Sequence, residues 1–150
     1  MDSITKTLEI GVTPEVAFEK FVNALNEWWP KEYTWSQERL ENIWIDGRKN
    51  GLCTEKGPYG FRCEWGRVTE LKEHQYISLK WQISAQREPI PDPDKASDIQ
   101  IHFIKNAAAT TLKFEHLHFE NHGDDAQHYR DILNSADGWY YILDRFKTYC

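Results

Sequence analysis

The chain has 150 residues, a formal net charge of -6 and a pI near 5.5. That balance argues against nucleic acid or an anionic membrane as the main partner. Seven residues each of Trp, Tyr and Phe are far more aromatic surface than a disordered chain carries, and the length suits one domain with a real core.

Ser3 to Ile10 alternates, with Ile4, Leu8 and Ile10 on one face, and predicts a first strand. Thr13-Pro14-Glu15 is a helix start: Thr13 caps, Pro14 suits the first turn, and Glu15 complements the dipole. Apolar residues then recur at helical spacing to Trp28, and Pro30 stops the helix. Lys31 to Arg39 reads as an irregular connection. Trp28, Trp29 and Trp35 are candidates for a lid or mouth.

Leu40 to Asp46 predicts a second strand, Gly47 to Gly51 a turn, and Leu52 to Glu55 a third strand. Gly57-Pro58-Tyr59-Gly60 is a turn, and Phe61 to Leu71 a fourth strand with a bulge expected at Gly66. If this hairpin is symmetric about Pro58, Cys53 and Cys63 are cross-strand neighbours, either a redox pair or two small buried thiols. Cys150 is expected at an exposed, frayed end.

Tyr76 to Ser84 is the fifth strand, with Ile77, Leu79, Trp81 and Ile83 on one face. Pro89, Pro91 and Pro93 punctuate a charged loop from Ala85 to Ala96. Ile99 to Lys105 and Thr110 to Phe119 are strands six and seven. Asp124 to Cys150 predicts one long amphipathic helix. Ala126, Tyr129, Leu133, Ala136, Tyr140 and Leu143 form its apolar stripe, widened by Ile132, Trp139 and Phe146. Consecutive strands with short turns imply an antiparallel meander, and the long helix gives it an α+β partner.

A hairpin of strands six and seven, symmetric about its turn, pairs positions whose numbers sum to about 215. Phe103 then faces Leu112, Ile101 faces Phe114, and Ile99 faces His116, all on the inner face; His102 faces Lys113 outside. His116 and His118 share a face, but a metal needs a third ligand, and no ligand motif supplies one. His122 and His128 lie where one could swing in. No metal site and no cofactor are expected. His116 is either a ligand hydrogen-bonder or general acid/base in an apolar pocket, or a core histidine satisfied by Tyr140 or a water.

Several strings then match a known pattern in order: Ile43-Trp44-Ile45-Asp46, the turn to Gly51, Gly66-Arg67-Val68-Thr69-Glu70-Leu71, and Tyr76-Ile77-Ser78-Leu79-Lys80-Trp81. Thr111-Leu112-Lys113-Phe114-Glu115-His116 and Gly138-Trp139 followed by Leu143 complete it. Together they resemble the START-like (Bet v 1-like, SRPBCC) superfamily, in the branch named after the C-terminal domain of the Hsp-90 ATPase activator. Asn50 replaces a common second glycine, and the segment after strand seven is His-rich rather than Ser-Gly. The resemblance implies a helix-grip fold, a curved antiparallel sheet around the C-terminal helix, enclosing an apolar cavity.

On that fold the candidate cavity-lining residues are Trp65, Trp81, Ile101, Phe103, Phe114, His116, Leu133 and Tyr140. The same rings could instead fill the core. The expected function is binding of a small hydrophobic or aromatic molecule. A chaperone contact and a cyclase- or hydrolase-like enzyme using His116 are the alternatives. No nucleophile elbow, phosphate loop or dinucleotide fingerprint appears. No apolar run approaches the roughly 20 residues that span a bilayer, and no basic start leads into an apolar core, so the expected location is the cytoplasm.

Overall fold

A computed structural model describes residues 1–150. The strands are β1 (Ile4–Ile10), β2 (Asn42–Ile45), β3 (Leu52–Lys56), β4 (Arg62–Lys72), β5 (Tyr76–Trp81), β6 (Ser97–Asn106) and β7 (Ala109–Leu117). The helices are α1 (Pro14–Asn23), α2 (Leu25–Trp28), α3 (Ala126–Leu133) and α4 (Trp139–Tyr149). All seven strands form one curved antiparallel sheet in the order β1-β7-β6-β5-β4-β3-β2. β2 to β7 are the predicted meander, and β1 closes the far edge against β7. The helices pack on its concave face, an α+β helix-grip fold.

Local chemistry sets the first helix. Thr13 Oγ1 accepts from Val16 N, Pro14 occupies the first turn, and Ala17, Phe18, Phe21 and Val22 are buried. Ala24 leaves helical geometry, so the predicted helix to Trp28 is two, α1 and α2. Trp28 is buried between Phe21 and Phe146, at ring separations of 4.9 Å from each, and is no part of a lid.

The β6–β7 register follows the expected pairing: Ile99 with His116, Ile101 with Phe114, and Phe103 with Leu112. The β3–β4 register does not. The turn at Pro58–Gly60 places Tyr59 and Gly60 at positive φ, and Lys56 pairs with Arg62, so the hairpin centres on Tyr59 rather than Pro58. A bulge then sets Cys53 opposite Gly66 and Thr54 opposite Glu64, leaving Trp65 as the extra residue. Cys63 therefore faces Glu55, and Cys53 and Cys63 are not neighbours. All three cysteines are free thiols. Gly66 is needed here, because a Cβ would stand 2.5 Å from Lys80 O.

The long C-terminal helix is also corrected. It breaks between Asn134 and Gly138. The interruption turns α4 so that Trp139, Ile142, Leu143 and Phe146 face inward. Tyr140 and Ala136, expected in the stripe, are exposed. Gly138 lets the two segments close on each other, since a Cβ there would lie 2.1 Å from Leu133 O. Cys150 is half-buried against the core rather than free at a frayed end. No helix is long and apolar enough to cross a membrane.

Candidate functional site

The interior between sheet and helices has a filled half and a hollow half. The filled half is built on α4. Phe114 lies 4.6 Å from Trp139 between ring centroids, Phe21 lies 5.0 Å from Phe146, and Phe18 lies 5.4 Å from Phe103. His116 belongs here and is fully buried. Trp139 Nε1–H donates to His116 Nδ1 at 2.9 Å. The neutral ring thus carries its proton on Nε2, which donates to Ser97 Oγ at 2.6 Å. The Ser97 hydroxyl in turn donates to His122 Nε2 at 2.7 Å. His122 then holds its proton on Nδ1, which is buried without a partner. Burial, reinforced by His122, keeps His116 well below the ordinary 6.5. Burial also pushes His122 down to about 4.

His116 is therefore a satisfied core histidine, although its partners are Trp139 and Ser97, not Tyr140 or a water. With both ring nitrogens engaged, it has none to offer as a general base. His118 does not share its face. A positive φ of 65° at the end of β7 turns His118 outward, where Nδ1 meets Asp98 Oδ2 at 2.6 Å. His102 lies outside as predicted, beside Tyr76, and His128 is exposed. Of the two loop histidines, His122 is the one that swings in.

The hollow half lies beside the α3–α4 break, whose Ser135, Asp137 and Gly138 form part of its wall. It is a cavity of about 390 Å³, within the range of small-molecule sites. Its floor is an aromatic cluster in which Trp29 stacks on Trp65 at 5.9 Å, and Trp81 stands edge-on to Trp65 at 6.0 Å. Trp65 reaches it from the bulge. The Trp65 indole N–H is buried without a hydrogen-bond partner. Tyr129 on α3 forms a side wall. Its hydroxyl accepts from Trp81 Nε1 at 2.7 Å and donates to Ile83 O at 2.8 Å, and burial raises its pKa. Ile43, Ile83, Ile132, Leu133 and Ile142 complete the apolar lining.

One side of the cavity is polar. Glu55 is 1% exposed on the inner face of β3. Its carboxylate accepts from Trp35 N at 3.1 Å, Ser36 N at 2.8 Å and Ser36 Oγ at 2.7 Å. These bonds compensate the buried charge and pin the Tyr33–Ser36 segment beside the cavity. Gly57 makes room for this clamp, since a Cβ there would lie 2.0 Å from Ser36 Oγ. Trp35 Nε1 donates to Arg87 O at 2.6 Å, Arg87 Nη2 donates to Tyr33 O at 2.8 Å, and Tyr33 OH donates to Asp137 O at 2.7 Å. Three connections distant in sequence are thus laced together around the mouth.

Of the candidate lining residues, Trp65, Trp81 and Leu133 border this cavity. Ile101, Phe103, Phe114 and His116 are packed into the filled half and do not line it, and Tyr140 is 63% exposed. Of the three residues expected at a lid or mouth, Trp35 borders the cavity, Trp29 is buried in its floor, and Trp28 does not line it. Glu55, Arg87 and Tyr129 also line the cavity, beyond the candidate lining residues the sequence points to. Alternation from Cys53 could have placed Glu55 inward, and the helical stripe contained Tyr129. No local signal marks Arg87. Glu19, Glu73 and His74 bring three potential metal-ligand atoms within 4.8 Å of one another, but they sit on α1 and the β4–β5 turn and none lines the cavity.

Residues 12–150 match the family described as "Activator of Hsp90 ATPase homolog 1-like protein". The chain belongs to this family. Solved structures with the same fold extend the likeness over nearly the whole chain. An anthrahydroquino-gamma-pyrone synthase is 24% identical with a TM-score of 0.71, covering 100% of this chain and 97% of the other. CalC from Micromonospora echinospora, a self-sacrificing resistance protein, is 20% identical with a TM-score of 0.66, covering 98% and 92%. The Aha1 dimer from Colwellia psychrerythraea is 16% identical with a TM-score of 0.64, covering 98% and 94%. At these identities the likeness concerns the fold. A comparison with curated proteins finds no match. Within this activator-homologue family, the Gly138-Trp139 pair of this chain has a structural role: Gly138 closes α3 onto α4, and Trp139 anchors His116.

Proposed function

We propose that this member of the activator-homologue family is a small-molecule binding protein whose ligand is hydrophobic or aromatic and occupies the cavity between β2–β5 and α3. The carrying observation is the cavity itself, about 390 Å³ with 12 of its 18 lining residues hydrophobic. One structural neighbour, the anthrahydroquino-gamma-pyrone synthase, supports the reading at the level of fold. An enzymatic version built on His116 is not favoured, because His116 lies outside the cavity wall and both its nitrogens are engaged.

Native mass spectrometry of the purified protein, with denaturing extraction of co-purifying molecules, tests this. A stoichiometric small molecule lost on Trp81→Ala, with the fold retained, is the expected result. A clean apo mass over several preparations, with no tryptophan fluorescence response to a hydrophobic-ligand panel, would sink it. Family membership favours a second reading, a contact with an Hsp90-type chaperone. A pull-down against purified Hsp90 checks that reading, and absence of binding at micromolar concentrations would remove it.

A further inference from the structure

Resting on the cavity reading, we propose that the ligand is an aromatic molecule carrying one acidic group, held at the cavity mouth by Arg87 while its rings lie against Trp29, Trp65 and Trp81. Arg87 is the only lysine or arginine in the cavity wall. The protein fixes it from three sides. Its backbone N–H donates to Ser84 O at 2.9 Å, its carbonyl accepts from Trp35 Nε1 at 2.6 Å, and its side chain reaches Tyr33 O at 2.8 Å. It is held at φ 63°, a conformation that disfavours arginine unless the surroundings enforce it.

A guanidinium offers five N–H donors, and only Nη2 is used. No carboxylate stands within salt-bridge distance of it. Two acidic residues share the wall. Glu55 is already compensated by its three donors. Asp137 is exposed and unpaired, and it opposes an anion there. The apolar floor provides affinity without orientation, and a fork of unused donors at the rim orients a carboxylate, sulfonate or acidic phenol. A buried cation would be costly to leave unpaired; at the rim, water satisfies Arg87 until a ligand arrives.

The test uses two fluorescent probes with one ring system, 1-anilinonaphthalene-8-sulfonate and neutral N-phenyl-1-naphthylamine. Both are titrated into the full chain. The proposal expects one-to-one binding of both, with the sulfonate tighter. Arg87→Gln should weaken the sulfonate about tenfold, as for loss of a hydrogen bond to a charged group, and shift the neutral probe less than twofold. Arg87→Lys should keep most of the preference, and Asp137→Asn should tighten the sulfonate alone. If both probes bind and Arg87→Gln moves neither, or both equally, the anchor is refuted and the cavity reading survives. If neither probe binds one-to-one, or filling the cavity with Ala85→Trp leaves both affinities unchanged, the cavity reading falls and the anchor with it.

Discussion

The two halves of the interior are built from the same residue types and behave differently. Around α4, Trp139, Phe114, Phe146 and Trp28 fill the space, and the polar His116 is bonded at both nitrogens. Around the α3–α4 break, Trp29, Trp65 and Trp81 border a void, and the Trp65 N–H is bonded to nothing. Aromatic content therefore does not distinguish a filled core from a cavity wall. The filled half packs under a continuous helix, α4, whereas the hollow half lies beside the irregular Asn134–Gly138 segment, whose Ser135, Asp137 and Gly138 border the void.

The comparison can be broken by substitution. Trp139→Ala should cost about 3–5 kcal/mol, because it opens a cavity in the filled half and strips His116 Nδ1 of its donor. Urea denaturation checks this, and a loss under about 1 kcal/mol would mean the two halves do not differ in packing. Glu55→Ala should cost about 2–3 kcal/mol, leaving the donors of Trp35 and Ser36 without their acceptor. It should also raise hydrogen exchange across residues 33–36, while exchange in α4 stays slow. Leu133→Ala, beside existing empty space, should cost only about 1 kcal/mol, whereas Leu143→Ala in the filled half should cost more than twice as much. Equal values would deny that the hollow half is hollow.

The smallest effect concerns pH. His122 is depressed to about 4 and His116 is also held well below 6.5, so between those values the unfolded chain binds protons that the folded one refuses. Stability should be fully present above about pH 6.5 and fall as pH drops from there toward 4. His122→Asn should flatten the upper part of that profile, where few carboxylates titrate. A wild-type stability that is constant from pH 7 to 5 would contradict the buried, neutral pair.

Much of the architecture was readable because strand alternation and turn chemistry are local. Thr13-Pro14-Glu15 opened α1, Pro30 ended the helical run, and the β6–β7 register followed from one short turn. Two of the departures share a cause. A turn symmetric about Pro58 would pair Cys53 with Cys63, but positive φ at Tyr59 moves the hairpin centre by one residue and separates them. An unbroken helix from Asp124 to Cys150 would keep Tyr140 in the apolar stripe, but the break at Asn134–Gly138 carries it to the surface. Periodicity reports which residues are apolar, but a single irregular residue resets the phase of everything beyond it.

The candidate site was legible only in its rings. Trp65, Trp81 and Leu133 announced themselves by hydrophobicity, while Ile101, Phe103 and Phe114 announced themselves equally and went to the filled half. By itself the sequence determined the strands, the α+β class and the stock of aromatics, because alternation and composition act over a few residues. Only the tertiary structure decided where the interior stays empty, how Glu55 came to hold Trp35 and Ser36, and that Arg87 stands at the mouth. Those outcomes depend on contacts between segments 19 to 104 positions apart, and no local pattern encodes which of them meet.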